Sequence, residues 1–342
     1  AGRHPRGRVA RQQAPTMLEE RRQLMQLLAK HRPDNGSAWR CLGLTALLWG
    51  GGLAALHCTA GCLPAVALMA LCVLRCFMVF HDAAHVSFFE DVASNRRLLR
   101  VIQYFAGYSS REWASVHNSH HAHFGDAQVR DASMTVFFSQ QELREAPWAV
   151  ALGHRVVHDP LIFYPFAGLF VFFINKPVRH FPQRWALPLL IWLTLGRQTA
   201  AMYLAAAWLA GTVGVMCFHL QHHCNTPYRV ASAMKRSALD AALLGSTRMK
   251  VPFPFSLFSF GIEYHHIHHF DVRVPGYRLA RCDAAGERLG LWRDVNTVGF
   301  WRGFKSLFHT QFEGSRKVAD ADGTPPRFVS FWPYSALGLQ DA

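Results

Sequence analysis

Thirteen of the chain's twenty histidines fall into four short clusters. The first is His81-Asp82-Ala83-Ala84-His85, and the second is His117-Asn118-Ser119-His120-His121 with His123 just beyond. The third is His219-Leu220-Gln221-His222-His223, and the fourth is Glu263-Tyr264-His265-His266-Ile267-His268-His269. Residues three and four apart share one face of a helix, so HxxxH can aim two imidazoles at one point and HxxHH three. Imidazole suits iron, zinc and copper alike, and ligand type alone does not choose among them. The number of histidines calls for two ions rather than one. A single HxxxH pair is a weak signal. His154 and His158 have that spacing and read as ordinary residues, as do His4, His31, His57, His180 and His309. Asp82, Asp126, Asp131 and Glu263 stand where they could accept the outer N–H of a ligand histidine, and Glu263 could itself be a ligand.

The elements that must position these clusters are apolar. Of 342 residues 51% are hydrophobic and 17% charged, and the apolar ones gather into long runs. Segments 41–57 and 62–80 are near the ~20 residues needed to cross a bilayer core and read as a helical hairpin. Residues 81–158 hold no stretch long enough to cross. Apolar segments follow at 160–174, 185–196 and 200–218. For all histidine clusters to share one face, an even number of crossings must separate His123 from His219. Segment 200–218 is one, and either 160–174 (with Pro165) or 185–196 (with Pro188) must be re-entrant or interfacial. The expected fold is an all-α integral membrane protein. It has about four transmembrane helices and a His-rich helical cap on the cytoplasmic or stromal side.

The net charge is +14 and the pI near 9.8. Nucleic acid is excluded as a partner by the aromatic-rich apolar segments, leaving a membrane surface or an acidic partner. Basic residues from Arg3 to Arg40 precede the first crossing, and Arg229, Lys235, Arg236, Arg248 and Lys250 follow the last, which puts both flanks on the positive-inside face. The acid-poor start, with Arg3, Arg6, Arg8 and Arg11, fits the remains of an organelle transit peptide or a basic tail. Thr16 to Glu19 fits a capping box, and Leu24, Leu27 and Leu28 then make one side of an amphipathic helix suited to the bilayer surface. The eight cysteines form no CxxC pair and read as buried thiols. Leu291 to Phe312 is amphipathic and interfacial. The organisation is a basic tail and amphipathic helix over 1–38, a membrane domain over 39–282, and an interfacial segment and tail over 283–342.

The histidine clusters also carry a family resemblance. His81 to His85 followed by Ser87-Phe88-Phe89 looks like the first box of membrane fatty acid desaturases. His117 to Gly125 resembles the second box, and His219 to His223 the segment after the last transmembrane helix. Tyr264 to His269, with Val274-Pro275-Gly276-Tyr277-Arg278-Leu279, resembles the third box and tail of acyl-lipid desaturases. The resemblance runs from about His81 to Leu279. It implies two irons, bound O2 and insertion of a cis double bond into a lipid-linked acyl chain. Carried over residue by residue, the ligands are His81, His85, His117, His120, His121, His265, His268 and His269, with His222 and His223 as further ligands and His219 as a weaker one. Gly261 departs from the family, which commonly has Asn near that place. The acyl tunnel is expected between the aromatic segments 160–174 and 251–262.

The reaction implied needs two external electrons. No haem or flavin motif is evident, so a separate donor such as ferredoxin or cytochrome b5 is implied. It could dock on Arg229, Lys235, Arg236, Arg248, Lys250, Arg278 and Arg281. Chloroplast, endoplasmic reticulum or bacterial inner membranes all suit such a protein. The competing readings are a same-scaffold lipid or carotenoid hydroxylase or ketolase, told apart by its oxygenated product, and a His-rich metal transporter. Transporters place ionisable groups inside their spans, whereas here Arg75 is the one charge within the second span.

Overall fold

A computed structural model describes residues 17–124, 144–157, 159–174, 178–222 and 238–309. The chain folds as helices α1 (Met17–Ala29), α2 (Asn35–Cys58), α3 (Leu63–Ala84), α4 (Val92–Ala106) and α5 (Ser110–Ala122). Helices α6 (Trp148–Val157), α7 (Pro160–Leu169, continued by a π-turn over Phe170–Ile174), α8 (Phe181–Leu195) and α9 (Arg197–His222) follow. The remainder is α10 (Ala238–Gly245), α11 (Phe255–Ser259), α12 (His265–Phe270), α13 (Gly276–Arg288) and α14 (Phe300–His309). One short parallel strand pair, Arg248–Lys250 with Thr297–Gly299, ties the last segments together.

Three described helices, α2, α3 and α9, are long and apolar enough to cross a membrane. Helix α3 is the central one, with 67% of its apolar window buried against 17% for α2 and 22% for α9. Its charge is satisfied within the protein. Arg75 Nε donates to Thr45 Oγ1 at 3.0 Å, and its guanidinium reaches the Leu257 carbonyl and lies over the Phe260 ring.

The two short apolar segments pack beside different halves of α9. Helix α7 lies beside the site end of α9, where Gly168 and Gly211 let the backbones meet; a Cβ on Gly168 would come within 2.1 Å of Thr212 Oγ1. Helix α8 lies beside the other half, with Leu187 and Ile191 in one apolar cluster with Ala200, Tyr203, Leu56 and Ala65. The two segments therefore follow one another along α9.

Side chains donate to backbone carbonyls along this path. Trp208 Nε1 donates to the Pro165 carbonyl at 2.8 Å. The Val171 carbonyl accepts from Tyr108 Oη at 3.0 Å and from Arg184 at 3.1 Å.

Helix α1 also departs from expectation. Its apolar face is buried in protein rather than laid on the bilayer: Leu24, Leu27 and Leu28 join a cluster with Ile267, Leu279, Cys282 and Trp292. Thr16 lies outside the described residues. Asp34 caps α2, accepting from Ser37 N at 2.7 Å, and also pairs with Arg278 of α13. The N-terminal part of the described chain thus braces the helical cap.

Candidate metal centre

Helix α3 presents His81 in its last turn and His85 at its C-cap. Asn95, fully buried, holds the turn that follows: its Oδ1 accepts from Phe88 N and Phe89 N, and its Nδ2 donates to the Phe89 carbonyl. Helix α5 brings His117, His120 and His121, α9 ends on His222, and the six-residue α12 brings His265, His268 and His269.

These side chains form two groups. In the first, one nitrogen from each of His81, His85, His117, His121 and His268 lies within 4.8 Å of every other. The second is His120, His222 and His269, on the same criterion. His265 adjoins it, its Nε2 3.1 Å from His222 Nε2. The groups abut, since the His121 and His269 rings are 4.5 Å apart. Three i,i+4 pairs, His81/His85, His117/His121 and His265/His269, each converge as their spacing suggests. The HxxHH triplets do not aim three imidazoles at one point. His120 turns to the second group, and His268 and His269 divide between the two.

The donors fit a cation. His222 Nδ1 meets the Gly245 carbonyl at 2.9 Å, and a carbonyl only accepts, so Nδ1 carries the proton and Nε2 presents a lone pair. His81 Nδ1 lies 3.1 Å from Asp82 Oδ1, which leaves its Nε2 in the same state. Yet His81 Nε2 is 3.0 Å from His117 Nε2, and His121 Nε2 is 3.1 Å from both His117 Nε2 and His268 Nε2. Nitrogens about 3 Å apart are what imidazoles at right angles around one ion present, with bonds of about 2.1 Å. His85 Nε2 and His269 Nε2 are buried without a hydrogen-bond partner. Burial and then the neighbouring imidazoles hold His117, His265, His268 and His269 well below the ordinary histidine range, so they stay neutral, as ligation requires.

Asp82 lies against His81, where the sequence suggested an outer partner. Its second oxygen accepts from Gly276 N at 2.6 Å, so one carboxylate ties the first histidine pair to the start of α13. Glu263 is turned elsewhere. It accepts from Ser259 Oγ at 2.7 Å, and burial raises its pKa. Asp126, Asp131 and His223 lie outside the described residues. His219 faces Tyr164 and Phe163, with Nδ1 3.2 Å from the Tyr164 hydroxyl, and belongs to neither group. His123 is exposed beside the Ser119 carbonyl. His266 is buried against Trp292 and pushed down to about 3, chiefly by burial.

Sequence reasoning missed the rings that wall the groups. Trp113 stacks on His117 at 4.3 Å, and Phe124 lies 4.0 Å from His269. Phe77 and Phe80 of α3 pack on Trp113 at 5.5 and 5.1 Å. Trp113 lies four residues before His117, on the same helical face, which is the one signal that could have found it. Of the segments expected to line a tunnel, Phe163 and Tyr164 lie on His219, and Phe260 and Ile262 share one apolar cluster with Phe80, against which Phe77 and Trp113 pack.

Gly261 has a backbone reason. Its φ is +85°, and a Cβ there would stand 2.4 Å from the Gly276 carbonyl oxygen, so no side chain fits. Of the basic residues offered for docking, Arg248 is paired with Asp283 and Glu287, and Arg278 with Asp34. Lys250 and Arg281 are exposed, and Arg229, Lys235 and Arg236 lie outside the described residues.

A family model for fatty acid desaturases matches residues 58–290, which contain every histidine of both groups. The chain is 25% identical over 272 residues to a fatty acid desaturase of Bacillus subtilis (strain 168), covering 75% of this chain and 74% of that protein. It is also 25% identical over 221 residues to the sn-1 oleoyl-lipid 12-desaturase of Synechocystis sp. (strain ATCC 27184 / PCC 6803 / Kazusa), covering 59% and 62%.

Proposed function

The chain belongs to the fatty acid desaturase family, and from that premise we propose that it is a membrane-bound, O2-dependent acyl-lipid desaturase inserting a cis double bond. Two irons are held by the ten histidines read from the sequence, nine of them described: His81, His85, His117, His121 and His268 for one, His120, His222, His265 and His269 for the other. The observation that carries this is the pair of abutting imidazole groups whose lone pairs point inward at one another. When bound, the irons supply the oxidising power that, with O2 and two external electrons, removes one hydrogen from each of two neighbouring methylene carbons.

The chain's own residues do the rest. Asp82 and the Gly245 carbonyl fix the tautomers of His81 and His222, so both histidines arrive as acceptors. Trp113, Phe77 and Phe80 form an apolar wall beside His81 and His117, which excludes water and positions an alkyl chain by shape alone. A separate one-electron donor, ferredoxin or cytochrome b5, docks on the cap face that includes Lys250 and Arg281. The substrate is a membrane lipid acyl chain, in keeping with the lipid-linked substrate in the second relative's name.

The test is expression in a desaturase-poor host with a competent donor, fatty acids profiled by gas chromatography–mass spectrometry, and iron measured on the purified protein. A new unsaturated acid, with about two irons per chain, is expected. A hydroxylated product, or zinc in place of iron, would sink the reading. Asp82→Asn is expected to lower iron retention or product formation by about 10–100-fold while the helices remain intact by circular dichroism. Unchanged iron and product would show that Asp82 does not orient His81.

A further inference from the structure

A cavity of about 540 Å³ lies on the other side of α3 from the histidines. It is bounded by α2, α3 and α4, with Trp39, Trp49, Leu98, Ile102 and Phe105 along its walls and Cys76 at its floor. On a helix of 3.6 residues per turn, the nine residues between Cys76 and His85 place them about 180° apart. The histidine end of α3 therefore faces away from this cavity, and no histidine lines it.

Its shape and polarity are those of a lipid chain's berth. From Trp39 to Trp49 the groove follows ten residues of α2, about 15 Å of depth. Its lining is mainly apolar, and its rim is exposed at Ala46, on the membrane-crossing length of α2, and at Val101 on α4. The polar lining residues at the shallow end are Ser94 and Arg97 of α4. Exposed Arg40, Arg96 and Arg100 flank that end, against the acids Glu90 and Asp91. Trp39, 64% exposed, sits at the same level, where an indole belongs between headgroup and chain. An apolar slot open to the bilayer, with a cationic mouth at the headgroup level, matches an anionic phospholipid.

We infer that this groove holds one acyl chain of an anionic membrane phospholipid, its phosphate at Arg97, as a resident lipid that is not turned over. The site owes nothing to the oxidative chemistry, so its test is lipid retention. The full-length protein, purified in mild detergent, is titrated with phosphatidylglycerol and separately with phosphatidylcholine, and bound lipid is counted by native mass spectrometry. One phosphatidylglycerol is expected, held at least tenfold more tightly than phosphatidylcholine. Ala46→Trp, which fills the slot from its exposed rim, should cut retention at least tenfold, and Arg97→Gln should make the two headgroups equivalent. Val101→Trp, also at the exposed rim, repeats the first test should Ala46→Trp fail to fold. Equal affinity for both lipids in the unaltered protein, or unchanged retention in both filled variants, would overturn the inference. Loss of the fatty acid product in a filled variant that keeps its metal would also overturn it, by making the groove part of the substrate path.

Discussion

His121→Ala is expected to abolish product formation, by more than the 10–100-fold that loss of an outer partner costs at a metal site. His121 is the imidazole most shared between the two groups. Its Nε2 stands 3.1 Å from those of His117 and His268, and its ring lies 4.5 Å from His269 and 5.5 Å from His120. Removing it takes a ligand from the first group and a wall from the second. Iron content should fall with activity, measured on the same preparation by mass spectrometry of the metal. His123→Ala is the matched control, since His123 belongs to the same sequence cluster but is exposed and bonded locally to the Ser119 carbonyl. It should keep both iron and product. An active His121→Ala protein, or a metal-free His123→Ala one, would mean that the two groups are misassigned.

Gly276→Ala is expected to destabilise the protein by on the order of 3 kcal/mol, the upper range for overpacking a filled interior. A Cβ there would stand 2.3 Å from both a ring carbon and the carbonyl oxygen of Phe260, and the position is buried. Its neighbour in space, Gly261, is closed from the other side by the Gly276 carbonyl, so neither backbone can retreat. The same residue's N–H holds Asp82, and through it His81, so iron retention should suffer with stability. Thermal unfolding in detergent, with metal analysis, reads both. Gly153→Ala, on a helix where an added Cβ meets nothing within 4 Å, should cost nothing and would expose any general intolerance of the fold to the change. A Gly276→Ala protein as stable as the original would show that the loops around Phe260 can part.

Much of the centre was legible because helical periodicity brings i and i+4 together whatever the tertiary fold. His81 with His85 and His117 with His121 met that way. Periodicity misplaced His120, which HxxHH would aim at one point with His117 and His121. It stands next to a histidine of the first group but points about 100° around its helix, toward whatever neighbour the fold supplies. His219 shows the opposite failure. It carries the right spacing from His222 yet lies about one turn deeper along α9, where Tyr164 and not a second imidazole is waiting. The three long spans were legible, and the packing of the two short apolar segments was not. The Pro165 and Val171 carbonyls accept from Trp208, Tyr108 and Arg184, which are remote in sequence, so nothing local announces those contacts. Leu24, Leu27 and Leu28 make a sound amphipathic stripe, but a stripe does not say whether lipid or Trp292 will cover it.

The division of labour on α5 and α12 also bears on how the protein comes to be filled. Each of these helices supplies both imidazole groups, so an ion captured by either one orders the same two segments that finish the other. The two occupancies are then thermodynamically linked, and the linkage is reciprocal. Whichever ion were bound first would change the affinity for the second by the same factor as the reverse order.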